Sequence, residues 1–206
     1  MIYKEDCLEH LKGMDDKSVD LVFSDPPYNV KKNYGLYKDN LTPSEYKDWM
    51  SKIVEESIRV SKRGVVFYVG GKLTALFFSL LPESHLIVVH KKAAGVFSGN
   101  YMLQYHSMFS TAKPIKKCKD LWDDVRLPGE GYFFREPRYE HPGLTSLKLT
   151  EKVLEHFTEE NDLVFDPFSG VGTTAVACKL HNRRFEGTEI NPKYIDVSEK
   201  RLREIK

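Results

Sequence analysis

Val19-Asp20-Leu21-Val22-Phe23-Ser24-Asp25-Pro26-Pro27-Tyr28 is the stretch that decides the fold. The apolar run through Phe23 reads as a buried strand. A carboxylate, a rigid diproline and an aromatic ring then leave it together. Open α/β sheets bind their ligands at that carboxyl edge. Pro27 fixes its own φ, and each proline pushes the residue before it toward extended geometry. Asp25 and Pro26 are therefore held extended, and their oxygens and the Tyr28 ring are aimed before any substrate arrives. A bare Asp-Pro-Pro reads more simply as a capped, proline-rich turn. Tyr28, the preceding strand and a second motif far downstream turn the reading toward a site.

Helix and strand signals alternate on both sides of this stretch. Ile2-Tyr3 reads as a short strand, Asp6 follows at its end, and a helix through Leu8 and Leu11 runs to about Gly13. Residues 29–41 are polar and aromatic, with Gly35, and are expected to form a mobile loop. Thr42 is an N-cap, Pro43 takes the first helical position, and Glu45 completes a capping box. Tyr46, Trp49, Met50, Ile53, Val54 and Ile58 then repeat at helical spacing as one buried face. Val65–Val69 is an unbroken apolar run, expected as a central parallel strand. Further helices are expected over 73–81, 147–157, 172–180 and 192–203. Further strands are expected over 86–89, 103–109, 163–165 and 184–189. The alternation predicts an α/β fold with a doubly wound, mostly parallel sheet, as one domain over 1–206. Residues 110–143 hold Pro114, Pro128, Gly129, Gly131 and Pro137 and read as irregular and exposed. Such a stretch inside a compact domain is usually functional.

Composition narrows the class. The chain has 206 residues, a 41% hydrophobic fraction and a net charge of +1, which suits one globular domain. It holds no long apolar run and no signal-peptide pattern, so a soluble cytoplasmic protein without a membrane partner is expected. Cys7, Cys118 and Cys178 are three in number, without CxxC spacing. That argues against a disulfide framework or structural zinc. No His, Cys and carboxylate set suggests any metal site. Lysines cluster at Lys31, Lys32 and Lys38, at Lys91 and Lys92, and at Lys113, Lys116, Lys117 and Lys119. Aromatic residues such as Tyr34 and Tyr37 interleave them. A local basic face binds phosphates even when total charge is near zero. Lys31, Lys32, Tyr34, Lys91, Lys92, Lys113, Lys116 and Lys117 are therefore candidate DNA contacts. The plainer alternative is that lysines populate solvated loops.

The second motif is Asp166-Pro167-Phe168-Ser169-Gly170-Val171-Gly172-Thr173-Thr174-Ala175. It reads as a strand end, a glycine turn and a helix start. Gly-x-Gly-x-x-Ala matches the nucleotide-binding fingerprint. Glu189 ends the next strand, where an acidic side chain accepts hydrogen bonds from ribose hydroxyls. Both dinucleotides and S-adenosylmethionine carry that ribose. The Asp25 motif decides between them, because methyl transfer to an aromatic amine uses an acceptor carboxylate followed by a stacking tyrosine.

With both motifs in place, the sequence resembles the DNA amino-methyltransferases, which methylate adenine N6 or cytosine N4. It is similar to the permuted class in which the catalytic motif precedes the cofactor motif. The resemblance covers nearly the whole chain and implies a Rossmann-like, S-adenosylmethionine-dependent methyltransferase fold acting on double-stranded DNA. It assigns catalysis to Asp25, Pro26, Pro27 and Tyr28. It assigns cofactor binding to Asp25, Asp166, Phe168, Ser169, Gly170, Val171, Gly172, Thr173 and Thr174. Glu189, Ile190 and Asn191 lie in the second cofactor strand, and Asp6, Cys7 and Leu8 match the segment that contacts the cofactor adenine. His141-Pro142 opens a segment in which the family shows His-Pro-x-x-Lys-Pro. Here Thr145 and Ser146 replace Lys-Pro, and their hydroxyls are expected to donate to the methionine carboxylate. The target-recognition region, around 110–143, is shorter than the family's usual one.

An exocyclic amine is a poor nucleophile because its lone pair is delocalised into the ring. The Asp25 carboxylate and the Pro26 carbonyl would each take one amine hydrogen, favouring a pyramidal nitrogen. Positioning and preorganised electrostatics supply most of the acceleration. The target atom is out of reach inside a duplex, so the base must flip out, with Tyr28 stacking on it. In the family that the sequence resembles, an aspartate at the first motif position goes mostly with adenine and serine is common in the cytosine enzymes, which implies adenine N6 here. The alternatives are cytosine N4, a non-catalytic nucleic-acid-binding module, and methylation of RNA or a protein amide. Recognition is expected to be short, relaxed, or shared across a homodimer.

Overall fold

The computed structural model describes residues 1–91, 96–98, 101–125, 139 and 141–205, with the backbone alone at 96–98 and 101–103. Its strands are β1 (Ile2–Tyr3), β2 (Leu21–Ser24), β3 (Val65–Gly70), β4 (His85–His90), β5 (Val96–Ser98), β6 (Tyr101–Leu103), β7 (Tyr105–Ser110), β8 (Leu121–Trp122), β9 (Leu163–Asp166) and β10 (Arg184–Thr188). Its helices are α1 (Cys7–Gly13), α2 (Pro43–Val60), α3 (Thr74–Leu80), α4 (Leu147–Phe157), α5 (Thr173–Leu180) and α6 (Pro192–Glu204).

Eight strands form one sheet in the order β1-β10-β9-β2-β3-β7-β4-β8, and β5 and β6 pair as a separate hairpin. The pairings from β1 through β3 are parallel. β7 runs antiparallel between β3 and β4, and β8 lies parallel to β4. The fold is thus the expected α/β, mostly parallel, Rossmann-like type, with 103–109 supplying the reversed strand. β2 and β3 run down the middle and are buried along nearly their whole length. Alternation along these strands feeds two cores. Leu21, Phe23, Val66 and Tyr68 pack with Leu149, Val153, Phe157 and Ala177 on the side of α4 and α5. Val22, Val65, Phe67 and Val69 pack with Leu11, Tyr46, Met50, Ile53 and Phe77 on the side of α1, α2 and α3.

Helix α2 starts as its sequence dictates, with Pro43 in the first turn and the Thr42–Glu45 capping box closed in both directions. Its buried face is Tyr46, Met50, Ile53, Val54, Ser57 and Val60, whereas Ile58 is 39% exposed. Twelve residues after Tyr46, Ile58 has rotated off the stripe, because each residue advances the helix by about 100°. The reading of 110–143 as irregular and exposed also needs correction where it can be followed. Trp122 in β8 is fully buried, with Ala112 and Val125 beside it in the core. Trp122 also donates through Nε1 to the Lys119 carbonyl, which satisfies its polar edge in the core. Residues 126–138 and 140 lie outside the described residues.

Parallel pairing puts Ser24, Gly70, Asp166 and Thr188 at one edge of the sheet, and β4 brings His90 to the same edge. Val65, His85 and Ser110 mark the opposite edge.

Candidate active site

Asp25 follows β2 at the carboxyl edge, and two hydroxyls hold its carboxylate. Tyr28 donates to Oδ1 at 2.7 Å. Thr145, which lies 120 residues away in sequence, donates to Oδ2 at 2.5 Å. Tyr46 on α2 donates to the Pro27 carbonyl at 2.7 Å, fixing the diproline from outside. Pro26 is buried. Desolvation pushes the Asp25 carboxyl up to about 6, against the opposing pull of Thr145, Tyr28 and the charge on Lys32. The Tyr28 phenol is driven well above its ordinary value, first by burial and then by the Asp25 charge.

The Tyr28 ring lies against the backbone of Gly70. A Cβ at Gly70 would come within 3.0 Å of Tyr28 Cδ2. Nothing local in the sequence marks Gly70 as the seat of a ring carried by another strand. His106 on β7 stands behind, edge-on to Tyr28 at 6.2 Å and 5.1 Å from the Tyr68 ring. Burial lowers the His106 value to about 4, and Lys91 and Lys32 add to that. His106 is therefore neutral and part of the wall behind Tyr28, a place its sequence context did not indicate.

The expected mobile loop is laced together. Asp39 is 2% exposed, and its carboxylate accepts from the backbone N–H groups of Asn29, Val30 and Lys32. Asn29 and Lys31 adopt left-handed backbone, at φ 55° and 63°. Asn29 Nδ2 donates to the Leu41 carbonyl. The clamp brings Lys32 Nζ within 3.1 Å of where a Cβ on Gly143 would stand, so Lys32 and the His141–Thr145 segment meet. Tyr34 packs against His141 at 5.7 Å, and its carbonyl accepts from Asn191 Nδ2. Asp39 had no motif to announce it. Its work is to bind backbone groups that become neighbours only when the loop turns back on itself.

The glycine motif lies beside Asp25, because β9 pairs directly with β2. The Asp166 carboxylate accepts from Phe168 N and from the Thr174 hydroxyl. It is 4% exposed, and burial pushes it up to about 7. Ser169 Oγ donates to the Asp166 carbonyl, and Ser169 N to the Thr188 carbonyl. Gly170 and Gly172 have positive φ, 50° and 78°. At Gly172 a Cβ would fall 1.8 Å from Ser198 Oγ on α6. This glycine is demanded by helix packing rather than by the approach of a ligand. Glu189 accepts from Gly170 N at 3.0 Å and Asn191 N at 2.7 Å, and burial raises its value. Asn191 caps α6. Val171, Thr173 and Thr174 are buried at the start of α5. Ile190 is half-buried between Glu189 and Asn191.

Other expected cofactor contacts serve structural roles here. Asp6 caps α1 by accepting from Leu8 N and Glu9 N. Cys7 is buried in the core, with its thiol pushed far up by desolvation. Ser146, 1% exposed, caps α4 through Leu149 N. Its oxygen thus serves as the acceptor that starts α4. The Thr145 hydroxyl is turned onto Asp25.

The lysine clusters separate. Lys31, Lys32 and Tyr34 lie in the clamped loop at the carboxyl edge. Lys91 follows β4 at the same edge, with its N–H on the Gln104 carbonyl. Lys92 lies outside the described residues. Lys113, Lys116 and Lys117 follow the end of β7 at the opposite edge, where Thr111 N bonds the Val65 carbonyl and Ile115 N the His156 carbonyl. Lys116 also pairs with Glu155 at 3.5 Å. The six residues of β3 set the two edges about 20 Å apart. These three lysines therefore do not join the Asp25 site, a correction to their grouping by sequence. Among the described residues, no group of three or more His, Cys, Asp or Glu side chains is gathered to hold a metal ion. Among them too, no helix is long and apolar enough to cross a membrane.

Comparison with known proteins agrees with this geometry. The sequence profile of the DNA methylase family matches residues 19–84 and 90–200. The chain is 27% identical to the type II methyltransferase M.HpaI of Haemophilus parainfluenzae, over 95% of this chain and 72% of that protein. It is 25% identical to the DNA adenine methyltransferase YhdJ of Escherichia coli, over 96% of this chain and 80% of that protein. Among solved structures, the cytosine-N4-specific PvuII DNA methyltransferase superposes with a TM-score of 0.76 at 19% identity. That match covers 98% of this chain and 85% of the other. The M1.HpyAVI complex with S-adenosylmethionine gives 0.68 at 24% identity, covering 98% and 99%.

Proposed function

This chain belongs to the DNA methylase family of N6 and N4 methyltransferases, and we propose that within it the chain is an adenine-N6 enzyme working on double-stranded DNA. The observation that carries the reading is the Asp25 carboxylate, fixed by two hydroxyls directly beside the glycine motif. The cofactor is S-adenosylmethionine, which supplies a methyl group on an electrophilic sulfonium when bound. The donor set fits it. Gly170 offers a left-handed turn without a side chain, and the half-buried Glu189 carboxylate stands beside it for the ribose hydroxyls. Gly170, Val171, Glu189, Ile190 and Asn191 would hold the nucleoside, with Phe168 beside them.

Asp25 and the Pro26 carbonyl accept the two hydrogens of the target amine and so favour a pyramidal nitrogen. A carboxylate has about four lone-pair sites. Tyr28 and Thr145 take two of them, and the others remain for the amine. The proton released afterwards leaves through Asp25, whose raised value of about 6 suits it to hold a proton briefly near neutral pH. The Tyr28 ring, seated on Gly70 with its hydroxyl on the Asp25 carboxylate, would stack on the flipped base. Lys31, Lys32, Tyr34 and Lys91 face the DNA from the same edge. Adenine is favoured on the resemblance alone, because an aspartate at this motif position goes mostly with adenine there; a carboxylate accepts from either amine. The chain is read as one methyltransferase domain with a short target-recognition segment, and a homodimer would widen its recognition surface.

The test is incubation of the full chain with labelled cofactor and duplex DNA, then hydrolysis and mass spectrometry. N6-methyladenine is expected. A product that is solely N4-methylcytosine would refute the choice of base and leave the amine chemistry standing. DNA binding without transfer would mark a non-catalytic module instead.

A further inference from the structure

Thr145 begins the turn into α4, and Ser146 fixes that turn by capping the helix. Leu149, Val153, Leu154 and Phe157 anchor α4 in the core. The Thr145 hydroxyl is thus delivered from a rigid element, and it reaches Oδ2 of Asp25. A threonine hydroxyl has one hydrogen to donate. Given to Asp25, it is not available to a cofactor carboxylate, the role that the sequence pattern suggests. The other donor to Asp25, Tyr28, is local and belongs to the same turn. Thr145 is therefore the tie from across the molecule that fixes how the carboxylate is rotated.

We propose that Thr145 is a positioning residue for the methyl-transfer step: its hydroxyl orients the Asp25 carboxylate toward the target amine and does not hold the cofactor. The proposal rests on the reading of Asp25 as the amine acceptor. A donor to a carboxylate favours its charged form. Losing the hydroxyl should leave Asp25 harder to ionise and held by Tyr28 alone.

The full chain is compared with its Thr145→Val and Thr145→Ser variants by three measurements. These are carbon NMR titration of the Asp25 carboxyl, the pH profile of kcat on duplex DNA, and calorimetry with S-adenosylmethionine. The carboxyl resonance is assigned by its loss in Asp25→Asn. In Thr145→Val the Asp25 midpoint should rise by about one pH unit, the amount a single hydrogen bond to a charged group supports. The acid limb of kcat should move with it, so that kcat should fall by roughly tenfold at pH 5 and by only about twofold at pH 7. The dissociation constant of the cofactor should stay within about twofold, a change too small to count as a lost contact. Thr145→Ser should restore midpoint and rate. An unmoved midpoint in Thr145→Val overturns the proposal. So does a cofactor affinity weakened tenfold with kcat intact, which would make Thr145 a cofactor contact. If Thr145→Val melts early, Thr145→Ala is read by the same three measurements. If the unaltered chain transfers no methyl to DNA, the functional reading falls, and the titration still decides what Thr145 does to Asp25.

Discussion

The two loops of the site are built by opposite means. In the glycine loop most ties are short or come from the next strand, as Asp166 holds Phe168 and Thr174, and Glu189 holds Gly170, and Arg201 on α6 adds one to the Val171 carbonyl. In the catalytic loop the ties that fix position come from elsewhere. Thr145 reaches Asp25, Tyr46 reaches Pro27, and Asn191 reaches Tyr34 across 157 residues. On the proposed reading, a loop that grips one constant cofactor carries most of its own scaffold, and a loop that aims a carboxylate at a base depends on where three separate helix starts have packed.

The sharpest break between the loops should come at Asp25. Asp25→Ala is expected to lower kcat by roughly a hundredfold to a thousandfold, the usual cost of one preorganised group at the reacting centre. Cofactor binding, measured by calorimetry, should hardly move. In the unaltered chain kcat should fall as pH drops below about 6, because Asp25 must be ionised to accept an amine hydrogen. Stability runs the other way. Burial raises the folded value above the unfolded one, so the Asp25 contribution is most favourable at low pH and is lost as pH rises from about 4 toward 6. Turnover retained by Asp25→Ala would end the proposed mechanism.

Next in size is the clamp. Asp39→Ala strips an acceptor from three backbone N–H groups and should cost about 2–3 kcal/mol in urea unfolding. Limited proteolysis should then cut within 29–38, while cofactor affinity stays near that of the unaltered chain. Equal damage to both loops would show that they fold as one unit.

Glu189→Ala tests the other loop. Cofactor binding should weaken by roughly 1.5–3 kcal/mol, the range for hydrogen bonds to a charged group. Calorimetry decides it, and an unchanged dissociation constant would reduce Glu189 to a brace for Gly170 and Asn191.

The smallest effect concerns charge. Replacing Lys31 and Lys32 by Gln should weaken DNA binding and lower the slope of log affinity against log salt by about 2, one for each phosphate contact. Replacing Lys113, Lys116 and Lys117 by Gln should leave both quantities unchanged. Equal losses from the two sets would place DNA along both edges of the sheet.

By itself the sequence determined the α/β class, the place of Asp25 at a strand end, the glycine turn at Gly170, and the capped start of α2. Each is a local signal. Strand periodicity, proline geometry, a glycine turn and a capping box act within a few residues of where they are written. The tertiary structure alone decided that β7 is reversed, that Trp122 enters the core, and that Lys113, Lys116 and Lys117 lie at the far edge. It also decided what touches Asp25. Thr145, Gly70, Asp39 and His106 gain their roles from contacts between segments distant in the chain or turned back on themselves. Such contacts form only where the burial of two apolar cores has brought the backbones together.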